Sequence, residues 1–280
     1  MESSAKNDRT YGCAPYAVAV VHGGPGAAGE MASVARELAH ERGVLEPLQT
    51  ATSLEGQVDE LRLTLEACAA LPVTLIGFSW GAWLSYILAA WHPALVHKLV
   101  LVSSGPFEER YVDMLRQTRL ARLNAAHQAQ WQAANVALGD PANTDKDAWL
   151  ARLGALTDLT DLYDPIPSPS EDHEPVTASG AIFQAVWARA AEWRRSGKLL
   201  ELAQHIRCPV VALHGDYDPH PARGVQEPLS ARLKDFRFVM LGHCGHTPWR
   251  ERQARAAFYQ AVRLELPAPL APDWNANAQP

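Results

Sequence analysis

The sequence predicts an α/β protein: a mostly parallel sheet flanked by helices, with one helical insertion. Three observations predict it. Short apolar runs alternate with helix-period stretches along most of the 280 residues. The runs hold continuous β-branched residues in place of alternating ones, which marks strands covered on both faces. One long stretch, 104–206, keeps helical periodicity and almost loses the strand signal.

The elements follow in order. The first ten residues are polar, without an apolar leader, and are expected to be flexible, as is the Pro- and Asn-rich stretch 267–280. Tyr16–Val21 (YAVAVV) reads as a buried strand with a turn after it at Gly23–Gly26. Met31–Arg42 reads as a helix and Gly43–Leu48 as a weak strand. Thr52 and Glu55 have the spacing of a capping box, and the helix they open carries Val58, Leu61, Leu65 and Cys68 on one face. Val73–Gly77 is a strand, and Trp80–Trp91 is a helix stopped before Pro93, with Trp83, Leu84, Tyr86 and Trp91 expected in the core. His97–Ser103, Pro209–His214 and Phe236–Leu241 are further strands, and Trp249–Leu266 is a last amphipathic helix. The insertion begins after the strand ending near Ser103. It holds Trp131, Trp149, Trp187 and Trp193, which either line an apolar pocket or pack the insertion. Its place after a strand end, where α/β sheets bind ligands, makes it a candidate lid.

Composition excludes several functions. The chain has 25 basic and 31 acidic residues, a net charge of −6, and no basic run, so no nucleic-acid partner is expected. Cys13, Cys68, Cys208 and Cys244 are too few for a disulfide framework and lack zinc-ribbon spacing. They read as reduced, mostly buried thiols in a reducing, cytoplasmic compartment. No apolar run approaches the roughly 20 residues that span a bilayer. The expected partner is a small molecule or short peptide.

Four stretches carry chemistry. Gly77-Phe78-Ser79-Trp80-Gly81 has the G-x-S-x-G pattern between a strand and a helix. Such a turn lifts the Ser79 hydroxyl above the sheet edge and aims the Trp80 amide, at a helix N-terminus, toward developing negative charge. His22-Gly23-Gly24-Pro25-Gly26 follows the first buried strand and can expose a second donor, the Gly24 amide. His214-Gly215-Asp216-Tyr217-Asp218 supplies a late acid, either Asp216 or Asp218. Gly242-His243-Cys244-Gly245-His246 supplies a late base, either His243 or His246. The chain order Ser, Asp, His is that of a triad on this kind of sheet. Cys244 reads as a small buried residue, not a nucleophile.

Together these stretches resemble the α/β-hydrolases, and HGGPG most resembles the proline iminopeptidase branch, whose nucleophile is likewise followed by Trp. The similarity spans roughly residues 17–266, including a helical cap. It implies Asp218 as the acid, third after the Gly of an H-G-x-x-D strand end, and His246 as the base, within Gly245-His246-Thr247-Pro248-Trp249. The implied catalytic set is Ser79, Asp218 and His246, with an oxyanion hole at Gly24 and Trp80, and no cofactor or metal. The implied core is 11–103 and 207–266, with the cap at 104–206 and the N-terminal hairpin reduced or absent. The implied reaction is cleavage of a small-molecule ester or amide through an acyl-enzyme, iminopeptidase-like or as a carboxylesterase or lactonase; the same triad also serves cofactor-free perhydrolysis. Peptidases of that branch hold a free amine with cap glutamates, for which Glu171, Asp172 and Glu174 are the candidates here, against a solvated turn. Two rival classes are a metallohydrolase built on His214, Asp216, Asp218, His220, His243 and His246, and a non-catalytic ligand-binding protein on the same scaffold.

Overall fold

Successive residues of the buried strands point to opposite faces of one sheet, and helices cover both faces. The computed structural model describes residues 7–140, 142–167 and 177–268. The strands are β1 (Asp8–Tyr11), β2 (Val18–Val21), β3 (Ala27–Ala28), β4 (Val44–Pro47), β5 (Val73–Phe78), β6 (Val96–Val102), β7 (Thr177–Ala178), β8 (Val210–Gly215) and β9 (Phe236–Leu241). The helices are α1 (Ala32–Ala39), α2 (Leu54–Cys68), α3 (Trp80–Trp91), α4 (Val112–Arg122), α5 (Ala125–Gly139), α6 (Lys146–Asp161), α7 (Gly180–Ser196), α8 (Lys198–Glu201), α9 (Arg223–Ser230) and α10 (Arg255–Glu265).

The main sheet has the order β1-β4-β2-β5-β6-β8-β9. All its neighbours pair in parallel except β1 with β4. The period of two explains the continuous apolar runs. Leu75, Leu99, Leu101 and Ala212 join α2 and α3 on one face. Ile76, Val100, Val102, Val211 and Leu213 join α1 and α10 on the other. Each such Val, Leu or Ile, fully buried, contributes about 1.5–3 kcal/mol.

Several expectations are corrected. The polar start is not flexible through residue 10: Asp8–Tyr11 forms the edge strand β1, antiparallel to β4. This single strand stands where a hairpin was expected reduced or absent. Gly43–Leu48 read as weak, yet β4 is buried at all four positions because β1 and β2 flank it. The N-cap of α2 is Ser53, not Thr52; its Oγ accepts from the Gly56 amide at 3.0 Å. Trp91 is 38% exposed at the end of α3, whereas Trp83, Leu84 and Tyr86 are core. The last helix is shorter than read: Pro248–Arg250 forms a 3₁₀ turn, and α10 starts at Arg255. Of the cysteines only Cys244 is fully buried, and Cys13 is exposed.

Residues between β6 and β8 form α4 to α8 and the short β7. Of the tryptophans there, Trp193 is core, 1% exposed, while Trp187 stacks on Trp83 of α3 with centroids 5.8 Å apart. Trp131 and Trp149 lie under the guanidinium groups of Arg119 and Arg152. Glu171, Asp172 and Glu174 lie outside the described residues. The insertion is stitched to the glycine loop: β7 pairs antiparallel with β3, and the Ser179 amide donates to the Gly26 carbonyl at 2.9 Å. Among the described residues, no helix is long and apolar enough to cross a membrane.

Candidate active site

The central strand β5 ends in a sharp turn. Ser79 has φ 52° and ψ −112°, a left-handed backbone that L residues avoid. The turn is held by its amide, which donates to the Val102 carbonyl of β6 at 2.9 Å. Both flanking glycines are required by space. A Cβ at Gly77 would collide with the Gly81 carbonyl, and one at Gly81 with the carbonyls of Val21 and His22. Side chains at either position would force the strand, the turn and the glycine loop apart.

The turn opens α3 at Trp80. First-turn amides of a helix lack intrahelical partners, so the Trp80 N–H is available to a ligand. The Trp80 ring is fixed from α2: its Nε1–H donates to Gln57 Oε1 at 3.0 Å, and Gln57 Nε2 donates to the Ala51 carbonyl at 3.0 Å. The loop bearing Gly24 is held by His22, which is fully buried and kept neutral by that burial. His22 Nδ1 donates to the Gly23 carbonyl at 2.7 Å, and Nε2 accepts from the Gln49 amide at 3.3 Å.

His246 approaches Ser79 from the loop after β9. Its Nε2 lies 3.0 Å from Ser79 Oγ, and its Nδ1 lies 2.8 Å from Asp218 Oδ2. An ionised carboxylate only accepts, so Nδ1 carries the proton and the neutral ring presents an Nε2 lone pair to the hydroxyl. Burial opposes a charge on Asp218, but His246, His220 and His214 outweigh it and hold the carboxyl well below the usual range. Burial likewise pulls His246 down, while the Asp218 charge prevails and raises it above the ordinary histidine value. Ser79 and His246 are partly exposed, so the pair is open to a ligand. Phe78 packs on His246 with centroids 5.0 Å apart.

The alternatives sit elsewhere. Asp216 is exposed, and its Oδ1 accepts from the Cys244 amide at 3.0 Å. His243 is exposed, at φ 54°, and its Nδ1 lies 3.3 Å from the Tyr163 hydroxyl. Neither is drawn to Ser79. Burial pushes the Cys244 thiol far up, which suppresses the thiolate a nucleophile needs.

Four neighbours were not read as site residues. Glu251, fully buried, accepts from the amides of Tyr163, Asp164 and Gly245, tying the His246 loop to the chain after α6. Asp161, at the end of α6, accepts the His246 backbone N–H at 2.6 Å. Its side chain is paired with Arg119 of α4, whose Nε donates to Oδ1 at 3.0 Å. Burial opposes its ionisation, but Arg119 outweighs that and keeps the Asp161 carboxyl low. Burial pushes Glu30 up to about 7 against the pull of His246. No local pattern marks any of these; only chain folding brings them to His246 and its loop.

Among the described residues, one group could hold a metal ion: single atoms of Asp161, His220 and His246 lie within 4.8 Å of one another. It shares only His220 and His246 with the set read from sequence. Each member is engaged already, Asp161 by Arg119 and both imidazoles by Asp218. A cation there would have to displace a paired guanidinium.

A family model described as alpha/beta hydrolase fold matches residues 53–249, well over half of the chain. Comparison with curated protein sequences finds no match. Among solved structures, VinJ is similar over 92% of this chain and 94% of its own, at 19% identity and a TM-score of 0.66. Est816, an N-acyl homoserine lactone degrading enzyme, is similar over 91% of this chain and 95% of its own, at 14% identity and a TM-score of 0.60. A proline iminopeptidase of Mycobacterium smegmatis is similar over 92% of this chain and 94% of its own, at 18% identity and a TM-score of 0.57. Sequence motif, strand order and family match agree, and the chain belongs to the alpha/beta hydrolase fold family.

Proposed function

We propose that the protein is a serine hydrolase that cleaves a small-molecule ester or amide through an acyl-enzyme. One observation carries this reading: His246 Nε2 is 3.0 Å from Ser79 Oγ while its Nδ1 is 2.8 Å from Asp218 Oδ2. His246 takes the Ser79 proton as the oxygen attacks the carbonyl carbon. The tetrahedral oxyanion accepts from the amides of Gly24 and Trp80, and removing one such donor commonly costs about 3 kcal/mol. His246 then gives its proton to the leaving group, and water, deprotonated by the same ring, releases the acid. Asp218 stays ionised throughout, orienting the ring and stabilising the imidazolium.

The iminopeptidase-like reading rests on the HGGPG loop and the Ser-Trp pair. A second reading, a carboxylesterase or lactonase, is favoured by the half-buried Phe183 and Trp187 of α7, which stack in a row on the core Trp83 of the helix after Ser79. Half-buried aromatic rings suit an apolar acyl group better than a charged amine.

The test compares aminoacyl-arylamides, including prolyl, with short and long acyl esters, using wild type and Ser79→Ala. Turnover that vanishes in the variant, with loss of fluorophosphonate labelling, is expected. Undiminished ester hydrolysis by pure S79A ends the serine reading. Preference for amine-free substrates decides for the esterase or lactonase.

A further inference from the structure

The carboxylate of Asp218 serves two imidazoles. Its Oδ2 takes the His246 Nδ1–H. Its Oδ1 accepts from the backbone N–H of His220 at 2.9 Å and from the His220 ring Nδ1–H at 2.8 Å. The two rings lie on each other, with centroids 4.4 Å apart and planes 24° from parallel. The His220 side chain is 11% exposed and that of Asp218 is fully buried. A third imidazole, His214, donates from Nε2 to the His220 carbonyl at 2.7 Å and lies 3.6 Å from Asp218 Oδ2.

We propose, resting on the serine-hydrolase reading, that His220 is a positioning residue for the reaction: its ring N–H fixes the plane of the Asp218 carboxylate, and its ring covers one face of His246. The backbone N–H of His220 already holds Oδ1, and the ring N–H is a second donor to that oxygen that narrows the swing of the carboxylate about its Cβ–Cγ bond and keeps Oδ2 toward the His246 Nδ1. The second donor also divides the carboxylate charge, so less of it acts on His246. The stacked ring keeps water from the imidazole that must remain a base.

His220 itself stays neutral. Burial pushes it down to about 4, against the pull of Asp218. A cationic neighbour stacked at this distance would oppose the imidazolium that forms when Ser79 loses its proton. The charged and titratable groups facing the two rings are Asp218 and His214 of the same segment, Asp161 from α6, Arg119 from α4 and Glu30 between β3 and α1. Asp161 and Arg119 offset each other as an ion pair. Asp218 is therefore the charge whose division matters.

The test uses His220→Ala and His220→Asn. The Asn side chain offers an amide N–H near the position of Nδ1 without the ring. The Cε1–H resonance of His246 is titrated by NMR, and kcat/KM for a neutral ester is followed with pH. Loss of the donor and loss of the covering ring both raise His246. In H220A its titration and the acid limb of kcat/KM move up together by about one pH unit, and H220N recovers part of the shift. An unmoved His246, or an equal fall in kcat at every pH that Asn does not relieve, overturns the proposal and leaves His220 as packing. Should H220A not fold, wild-type nitrogen shifts decide: a neutral Nδ1–H tautomer down to about pH 5 is expected. Protonation above that, or the Nε2–H tautomer, overturns it. The titration needs no turnover. Turnover independent of Ser79 sinks the serine reading and the reaction role with it; Ser79-dependent turnover with an unmoved His246 sinks only the role of His220.

Discussion

The backbone N–H of His246 donates to the backbone carbonyl of Asp161 at 2.6 Å. The proposed base is thus tied to the last turn of α6, in the insertion, by a bond that no side-chain pattern encodes. The Asp161 side chain, 6% exposed, is clamped by Arg119, 16% exposed. Removing the guanidinium leaves a buried carboxylate without its partner, a change that commonly costs about 3–5 kcal/mol. Arg119→Met is expected to lower the unfolding free energy by a comparable amount, read from the urea midpoint and slope, and Arg119→Met with Asp161→Asn to recover much of it. A double-mutant cycle measures this; additive effects would show that the pair does not act as a unit.

The two candidate acids have separate signatures. Asp218→Asn leaves His246 with a wrongly oriented or wrongly protonated ring, and kcat is expected to fall by about 10⁴-fold. Asp216→Ala removes the acceptor of the Cys244 amide, a part-buried bond. It is expected to cost about 1 kcal/mol of stability and to leave kcat within about tenfold of wild type. Unfolding curves and ester kinetics on both variants decide between them.

In the proposed reaction, activity follows the base form of His246. Its folded value lies above 6.5, so kcat/KM is expected to fall on acidification with a midpoint above that figure. Stability runs the other way for this group. Its contribution is complete below 6.5 and is lost as pH rises through the raised folded value. Asp218 and Asp161 are depressed below 3.8, so their contribution is present above that value and lost as pH falls through the folded ones. A pH series of urea midpoints beside the kcat/KM profile tests both signs.

Glu30 has the opposite bias. Its folded value is pushed up to about 7 from 4.5, so ionisation destabilises the fold as pH rises. Glu30→Gln is expected to raise Tm at alkaline pH by several degrees, at roughly 2–4 °C per kcal/mol for a chain of this size. The gain fades as pH falls through 7 and is absent below 4.5. A constant difference at all pH values would show that Glu30 keeps an ordinary acidity in the fold.

The strand-to-helix turn at Ser79, the buried parallel strands and the helical insertion were legible because they rest on local signals: apolar runs, glycine spacing and helical period. Asp218 and His246 needed more. Two acids and two histidines fit the chain order, and resemblance alone favoured one of each. Only the fold separates them, by turning Asp216 and His243 to solvent and the other two inward. Thr52 was misread as a cap because Thr52 and Ser53 are both good capping residues and local sequence does not set the first helical turn.

The sequence by itself determined which strands are buried, where the strand-to-helix turn at Ser79 lies and which residue types stand there, since these follow from periodicity and backbone sterics within a few residues. Tertiary structure alone decided that Asp161, Arg119, Glu251, Glu30 and His220 gather around His246 and its loop. Their effects depend on distance through space and on exclusion of water, and residues separated by up to 221 positions in the chain, Glu30 and Glu251, carry no mark of that closeness until the sheet has brought their loops together.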